Sequence, residues 1–281
     1  MIARTSAVIE AGGVLGKLCC APPLTLRQVH SDDAGRCELR LVGTAAGPLA
    51  DDDLSISLRL RPGARAALAA TGASLAQGRD HAGTEDGRDR QGTSRHGTGG
   101  AAAALTIRAD LADGADLVAD PGALIVCRGS RVDVRVELAL GVGARVRWRE
   151  LIVLGRTGEP AGRATLRWDV TRLGRPVLRQ FVDLGDPALI AWGGLTARRR
   201  VLACALISDC DPAWTPRTVV ASATAVAQRV DDHTLLVTVL DDDTARAARQ
   251  LDELCAQARG SATADAAGPW LGNDPVRERN G

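Results

Sequence analysis

The sequence predicts an all-β fold built mainly from antiparallel stacked strands, with one or two helices. Two observations support this class. Apolar and polar residues alternate over several short segments, which is typical of strands with one face in a core and the other in water. Turn-forming Gly, Pro and Asp residues separate these segments at regular spacing. The clearest alternating segments are Asp53–Arg61, Leu105–Leu111, Arg131–Leu140, Val146–Trp148, Leu166–Val170 and Leu235–Leu240.

One segment near the C-terminus breaks this two-residue period. In Asp243–Ala258 the apolar residues recur at spacings of three and four, which predicts a helix. Asp243 or Thr244 is the candidate N-cap, since both side chains accept hydrogen bonds from backbone N–H groups. The segment Pro187–Arg199 fits neither period, so no element is assigned to it.

The 281 residues are interpreted as one β domain over residues 1–259. Within it, residues 78–100 contain a single apolar residue, Ala82, and bury too little surface to offset the entropy of ordering. They predict a disordered insertion between two strands. Residues 260–281 are interpreted as a flexible tail.

Composition argues against several classes of protein. Lys and Arg number 35 and Asp and Glu number 34, and a net charge of +1 does not favour a nucleic-acid or membrane-surface binder. The seven cysteines form no CxxC pair and no disulfide framework typical of a secreted protein. No apolar stretch has the length of a membrane span or signal sequence. We therefore expect a cytoplasmic protein with reduced thiols.

Recognisable enzyme motifs are missing from the sequence. The segment Gly12–Leu18 comes nearest to a phosphate-binding loop, but its first glycine is displaced by one residue. Leu18 also stands where such a loop needs a magnesium-binding Ser or Thr. Two runs of three aspartates, at 51–53 and 241–243, lie beside strand ends and are interpreted as solvated turns.

Charged residues flank a strongly apolar run in the segment Arg147–Glu159. Glu150 precedes Leu151–Leu154, and Arg156 and Glu159 follow it. Because an unpaired charge beside a buried strand is costly, we expect Glu150 to pair with an arginine and fix a strand corner. A partner-binding rim is an equally open interpretation.

The order of several segments resembles the UreD family of urease accessory proteins, called UreH in some species. The segments that carry the resemblance are Gly47–Ala76, Asp116–Ser130, Arg149–Glu159 and Pro176–Gly185. The most specific one reads ELIVLGR followed by GE, and it matches the family motif Glu-x-x-x-x-Gly-Arg. The positions that match family motifs are Asp52, Leu54, Pro62-Gly63-Ala64, Pro121 to Ile125, Glu150, Gly155, Arg156 and Gly158-Glu159.

The resemblance implies a non-enzymatic accessory protein with an extended, β-helix-like body. Such a protein binds UreF, which recruits the GTPase UreG, and the assembly docks on apo-urease to deliver nickel to its active site. No cofactor is then tightly bound, and nickel is present only in transit. Gly155 and Arg156 would be structural or partner-binding residues.

Three carboxylates at family-matched positions are candidates for a transient nickel path: Asp52, Glu150 and Glu159. A protein that passes a metal on should hold it weakly, and carboxylates with water do so better than imidazoles or thiolates. By strand parity Asp52 lies on the same side as Leu54, so its side chain should point inward. Asp51 and Asp53 should then face water.

Two other classes of function stay open on the residues alone. One is a β-sandwich hydrolase that uses Asp52 with His30 or His233, although no motif spacing supports it. The other is a β-rich structural or binding module, against which the lack of paired cysteines argues.

Overall fold

Two β-sheets and three helices form the part of the chain that the structure, a computed structural model, describes: residues 1–31, 35–78, 101–209 and 219–259. We call the seven-stranded sheet sheet A and the eleven-stranded sheet sheet B. The strands of sheet A are β1 (Ile2–Glu10), β2 (Val14–Cys19), β5 (Asp53–Leu60), β8 (Ala103–Leu111), β11 (Arg131–Leu140), β13 (Arg163–Arg172) and β14 (Arg175–Asp183).

Sheet B and the helices complete the described elements. The strands of sheet B are β3 (Leu24–Ser31), β4 (Cys37–Gly43), β6 (Arg65–Ala70), β7 (Ser74–Ala76), β9 (Asp116–Asp120), β10 (Ala123–Val126), β12 (Arg145–Leu154), β15 (Val201–Ser208), β16 (Val219–Ser222), β17 (Ala225–Asp231) and β18 (Thr234–Asp241). The helices are α1 (Pro187–Ala191), α2 (Gly193–Thr196) and α3 (Thr244–Arg259). This content confirms the predicted all-β class with a C-terminal helix.

The two sheets pack face to face and share the main core. In β5 the predicted inward residues are all buried, while Ser55 and Ser57 alternate with them on the outer side. The same period in β11 and β13 turns their even-numbered side chains toward sheet B. Trp148 on β12 and Trp168 on β13 are the largest fully buried side chains of this core. Burial on one face per strand explains the two-residue alternation of the sequence.

Strand direction differs from the expectation of mainly antiparallel pairing. The central strands of sheet A run in the order β13-β11-β8-β5-β1, and every neighbouring pair among them is parallel. In sheet B, β12-β9-β6-β4 are likewise parallel, and antiparallel pairs are found toward the edges. In the middle of the stack the chain alternates between the sheets, so each coil adds one strand to sheet A and one or two strands to sheet B. Alternation shows which face of a strand is buried, but it does not show the direction of the neighbouring strand. The sequence pattern therefore did not reveal the parallel pairing.

Successive coils are aligned by a column of equivalent turns. Gly63, Gly114 and Gly143 occupy these turns, each with a positive φ that favours glycine and each followed by a buried alanine. The N–H of Gly63 donates to the carbonyl of Asp113 at 2.8 Å, and the N–H of Gly114 donates to the carbonyl of Val142 at 2.8 Å. Each turn thus hydrogen-bonds to the next one along the stack.

Helix α3 covers the outer face of β15, β17 and β18. The five apolar residues of its predicted stripe, Ala247, Leu251, Leu254, Cys255 and Ala258, are all buried against this face. The acidic run before the helix serves as its cap, because Asp243 accepts from the N–H of Arg246 at 2.7 Å and Asp241 forms an ion pair with the Arg246 guanidinium. Strand β15 is buried on both sides, which explains its uninterrupted apolar sequence.

Several of the sequence-based predictions are not tested by the structure. Residues 79–100 of the predicted insertion and the predicted tail 260–281 lie outside the described residues, and the single-domain interpretation remains a prediction. The segment Pro187–Arg199, which fits neither sequence period, contains α1 and α2. Asp186 caps α1 by accepting a hydrogen bond from the N–H of Ala188. None of the described helices is long and apolar enough to span a membrane.

The packing of α3 predicts a large cost for truncating its buried stripe. Leu251→Ala should lower the free energy of unfolding by about 2–5 kcal/mol, because it leaves a cavity between the helix and β15. Gln257→Ala, on the exposed side of the same helix, should change it by less than about 0.5 kcal/mol. Urea unfolding of both variants measures the difference, and equal stabilities would contradict this packing.

Candidate functional site

Glu150 lies on β12 and points into the space between the two sheets. Its side chain shares the inward face of the strand with Trp148 and Ile152, and only 5% of the residue is exposed. The carboxylate oxygen Oε2 accepts a hydrogen bond of 2.5 Å from the indole Nε1 of Trp168, which reaches across from sheet A. A carboxylate thus bridges the two sheets in the interior.

The surroundings of Glu150 favour its neutral form. Burial raises the pKa of this carboxyl from 4.5 to about 7, although the hydrogen bond from Trp168 acts in the opposite direction. Cys204 lies directly opposite Glu150 on β15, and burial together with the nearby carboxylate raises the pKa of its thiol to about 12. The site therefore contains two protonatable groups in a poorly hydrated interior.

The prediction that Glu150 forms an ion pair with an arginine is wrong. Arg156 instead pairs with Glu159, with its Nε 3.0 Å from Oε1 of that carboxylate. The two glutamates lie at different places because Glu150 faces the core, whereas Arg156 follows the turn at Gly155 and is exposed. A buried carboxyl group needs a hydrogen-bond partner, and the indole N–H provides one as an arginine would. Unlike an arginine, the indole does not add a second buried charge.

The loop after β12 is fixed by backbone geometry. Gly155 adopts a φ of 77°, and a Cβ atom there would lie 2.8 Å from the carbonyl oxygen of Glu159. Arg200 fastens the same loop by donating to the carbonyl oxygens of Leu154 at 3.2 Å and Gly155 at 3.0 Å. The Arg156 guanidinium lowers the pKa of the Glu159 carboxyl to about 2. These contacts fit the structural role expected for Gly155 and Arg156.

Asp52 precedes β5 and is buried, as strand parity predicts. Its Oδ1 accepts from the Met1 ammonium group at 2.8 Å, and its Oδ2 accepts from the N–H of Leu49 at 2.9 Å. Asp51 is exposed, and Asp53 forms a half-exposed ion pair with Arg4. The expected orientations of all three aspartates are therefore confirmed.

Glu150 lines a cavity of about 30 Å³ between the sheets, a volume that can hold one or two water molecules. Its other walls come from successive strands of both sheets and are mainly apolar. Leu24, Leu41 and Ser74 are shared between this cavity and a surface pocket of about 260 Å³. Gly47 lines that pocket too, and a Cβ atom at Gly47 would lie 3.7 Å from Oδ2 of Asp52. Asp52 is thus near an outer opening and Glu150 is inside.

The three candidate carboxylates do not form one metal centre. Asp52, Glu150 and Glu159 share no hydrogen-bond partner, and the described residues contain no group of three or more His, Cys, Asp and Glu side chains placed to hold a metal ion. His233 lies in the turn between β17 and β18, on the other sheet from β5, and makes no contact with the Asp52 carboxylate.

Two residues of the site were absent from the sequence-based candidates. Trp168 holds Glu150, and the alternation of Leu166–Val170 already placed it on the inward face. Arg149 is almost fully buried beneath α3, where it donates to the carbonyl of Ala248 and lies 3.5 Å from a carboxylate oxygen of Asp120. Strand parity already places the side chains of Arg149 and Glu150 on opposite faces of β12, but the sequence gave no signal that α3 would cover Arg149.

The raised pKa of Glu150 predicts a pH-dependent stability. Between pH 4.5 and about 7 the folded chain keeps a proton on Glu150 that the unfolded chain has released, so the free energy of unfolding falls as pH rises. Relative to Glu150→Gln, the wild-type chain should lose about 3 kcal/mol across this window. Chemical denaturation at several pH values measures it. Glu253→Gln, on exposed helix surface, should keep the wild-type profile; parallel profiles for wild type and Glu150→Gln would contradict the assignment.

The turn after β12 predicts different costs for two glycine substitutions. Gly158→Ala meets no atom within 4 Å and should cost only the left-handed backbone conformation, about 1–2 kcal/mol. Gly155→Ala has the same backbone cost plus a collision with backbone oxygens, which adds about 1–3 kcal/mol. Thermal unfolding of the two variants compares them. A Gly155→Ala chain as stable as Gly158→Ala would show that the loop relaxes freely.

Comparison with known proteins identifies the family. A family model described as UreD urease accessory protein matches residues 6–270. The urease accessory protein UreD 1 of Saccharopolyspora erythraea is 34% identical over 216 residues, which cover 75% of this chain and 77% of that protein. The UreD 1 protein of Streptomyces griseus is 36% identical over 60% of this chain and 59% of its own length. The UreD protein of Streptomyces coelicolor is 31% identical over 86% of this chain and 89% of its own. The chain belongs to the UreD family of urease accessory proteins.

Proposed function

We propose that this chain is a scaffold in urease maturation that assists nickel delivery into the urease active site. It binds UreF, recruits the GTPase UreG through UreF, and docks on apo-urease. The observation that best supports the nickel role is the position of Glu150, whose buried carboxylate lines an internal cavity. Family membership supports the maturation role, and the partner names follow from the family resemblance.

The interior arrangement suits an ion in transit. A single carboxylate beside a cavity with room for one or two water molecules offers oxygen ligands but no closed coordination shell, so a divalent ion would be held weakly. Leu24, Leu41 and Ser74 line both this cavity and the surface pocket beside Gly47, so they lie between the two. An ion entering there would pass near Asp52 before reaching Glu150.

The candidate carboxylates differ in how many groups of the protein already bind to them, and so in how easily they could bind an ion. Oε1 of Glu150 makes no hydrogen bond to a described residue, and Oε2 is held by a neutral donor. The Asp52 carboxylate is engaged by one ammonium group and one N–H group. Glu159 remains a candidate for the same path, but an ion would have to displace the guanidinium of Arg156 there.

A binding role also agrees with the surroundings of the polar groups. Asp52 and Glu150 each lie in a separate environment, and neither has a histidine partner for acid–base catalysis among the described residues. We therefore propose that the chain is no enzyme. Hydrolysis or GTP turnover by a preparation free of UreG would contradict this part of the proposal.

Carboxylate variants test the nickel path. Asp52→Asn and Glu150→Gln should leave the fold and the UreF complex intact, yet lower the nickel content of urease by about tenfold, because each replaces a carboxyl group that can ionise to bind the ion with an amide of the same size. The measurements are pull-down with UreF and nickel analysis of urease matured with each variant.

The matched control is Asp53→Asn, which changes an exposed carboxylate next to Asp52. It should affect neither UreF binding nor nickel content. If Asp53→Asn lowers the nickel content while Asp52→Asn and Glu150→Gln leave it unchanged, the assigned path is wrong.

A further inference from the structure

Arginines are concentrated on the outer face of sheet B, beside the part that α3 covers. In β3, β4, β6, β9 and β12 alternate residues enter the core, so strand parity places the residues between them on the outer face. Five arginines there are exposed or half-buried, and we call them the arginine face: Arg27 on β3, Arg40 on β4, Arg65 on β6, and Arg145 and Arg147 on β12.

Acidic residues of the same strands do not balance these five charges. Glu38 lies 3.7 Å from Arg40, and the buried Asp116 lies 3.8 Å from Arg145. Asp120, at the border of the face, is paired at 3.5 Å with Arg149 under α3. With Glu38 and Asp116 counted against it, the arginine face keeps an excess of three positive charges among the described residues of these strands.

Small residues lie between the arginines and form the floor of this face. Ala67 on β6 is in register with Val118 on β9, which is in register with Arg147 on β12. Ala67 and Val118 are both buried. The alkyl stems of arginines can cover such residues while their guanidinium groups stay at the surface, which agrees with the half-buried positions of Arg65 and Arg147. The positive groups are thus spread over a low surface that another chain can approach.

Arg40 also has a hydrogen bond to gain. Its Nη1 is buried and has no hydrogen-bond acceptor among the described residues. A buried N–H group without an acceptor is costly. A carboxylate that draws this guanidinium outward would supply the acceptor, and arginine binds carboxylates through two parallel hydrogen bonds.

We propose that the arginine face is a docking surface for a protein partner that presents an acidic surface. Fixed carboxylates at Glu38 and Asp116 interrupt the positive field, so a folded surface with separate Asp and Glu side chains fits it better than a continuous phosphate backbone. The net charge of +1 for the whole chain also disfavours a nucleic acid.

The arginine face adjoins the surface pocket beside Gly47. Residues 70–73 line that pocket, and they also line a neighbouring pocket of about 300 Å³ whose walls include Ala69, Asp120 and Arg149. A partner bound to the arginine face would therefore lie at the opening near Asp52. The use of this opening for an ion rests on the proposed function, whereas the docking surface does not.

A charge-reversal experiment on the full-length chain tests the proposal. The test variant combines Arg27→Glu with Arg40→Gln, which are register partners on sheet B. The matched control combines Arg131→Glu with Arg163→Gln, which are register partners on the outer face of sheet A and undergo the same change in charge. Binding is measured to UreF, UreG and apo-urease, and to a fluorescent deca-glutamate peptide.

The test variant should bind one of the three proteins, and the peptide, about tenfold or more weakly, and the control should bind like the wild-type chain. Wild-type binding to both should weaken between 50 and 300 mM NaCl, because salt screens exposed charges. Thermal unfolding should be alike for the two variants, since the test positions form no part of the core.

Three outcomes would overturn the docking surface. The first is protein binding that is equal for the test variant and the control. The second is wild-type binding that does not change with salt, a result that does not depend on the folding of any variant. The third is tighter binding of a 20-nucleotide single-stranded DNA than of the peptide, which would assign the face to nucleic acid.

The proposed function fails on a different result. If the wild-type chain binds none of UreF, UreG and apo-urease, that function is wrong. Peptide binding then decides the docking surface by itself: loss in the test variant alone supports it, and equal binding by test and control contradicts it.

Discussion

Each strand in the middle of this molecule must bury one face against the opposite sheet, and this requirement governs the rest of the structure. It selects alternating sequences such as Leu54 to Leu60, with apolar residues inward and polar residues outward. It also makes successive coils stack in register, since a one-residue slip would turn the whole apolar set toward water. The column of glycine turns at 63, 114 and 143 sets that register from coil to coil.

Glu150 departs from this requirement, and the departure has an energetic cost. An ionised carboxylate in the inter-sheet space must give up its hydration, and one indole hydrogen bond offsets only part of the loss. A leucine or methionine of similar volume would suit the same position better for stability alone. A residue that weakens the core at the wall of a cavity is where we would look for function, and the family assignment gives that search its direction.

Much of the architecture follows from local patterns in the sequence. Two-residue alternation located six of the strands, β5, β8, β11, β12, β13 and β18. The three- and four-residue spacing of 243–258 located α3 within one residue at each end. Strand direction did not follow, because alternation is the same for parallel and antiparallel neighbours. The inward orientation of Asp52 was predictable from parity. Its contact with Met1 was not, because these two residues are 51 positions apart and meet only in the folded sheet. The same reason hid Trp168 as the partner of Glu150.

The repeated coils also add strands to the interior at a regular spacing. Each central coil adds one strand to sheet A and one or two strands to sheet B, and neighbouring strands are about 4.8 Å apart. The cavity walls draw on β4, β5, β8, β11 and β12, so the path that we propose past Glu150 would cross the stack rather than follow a strand. A relative with one coil more or fewer would lengthen or shorten such a route by one whole step. On the proposed function, the number of coils would therefore set how far apart two docked proteins can be while they exchange an ion.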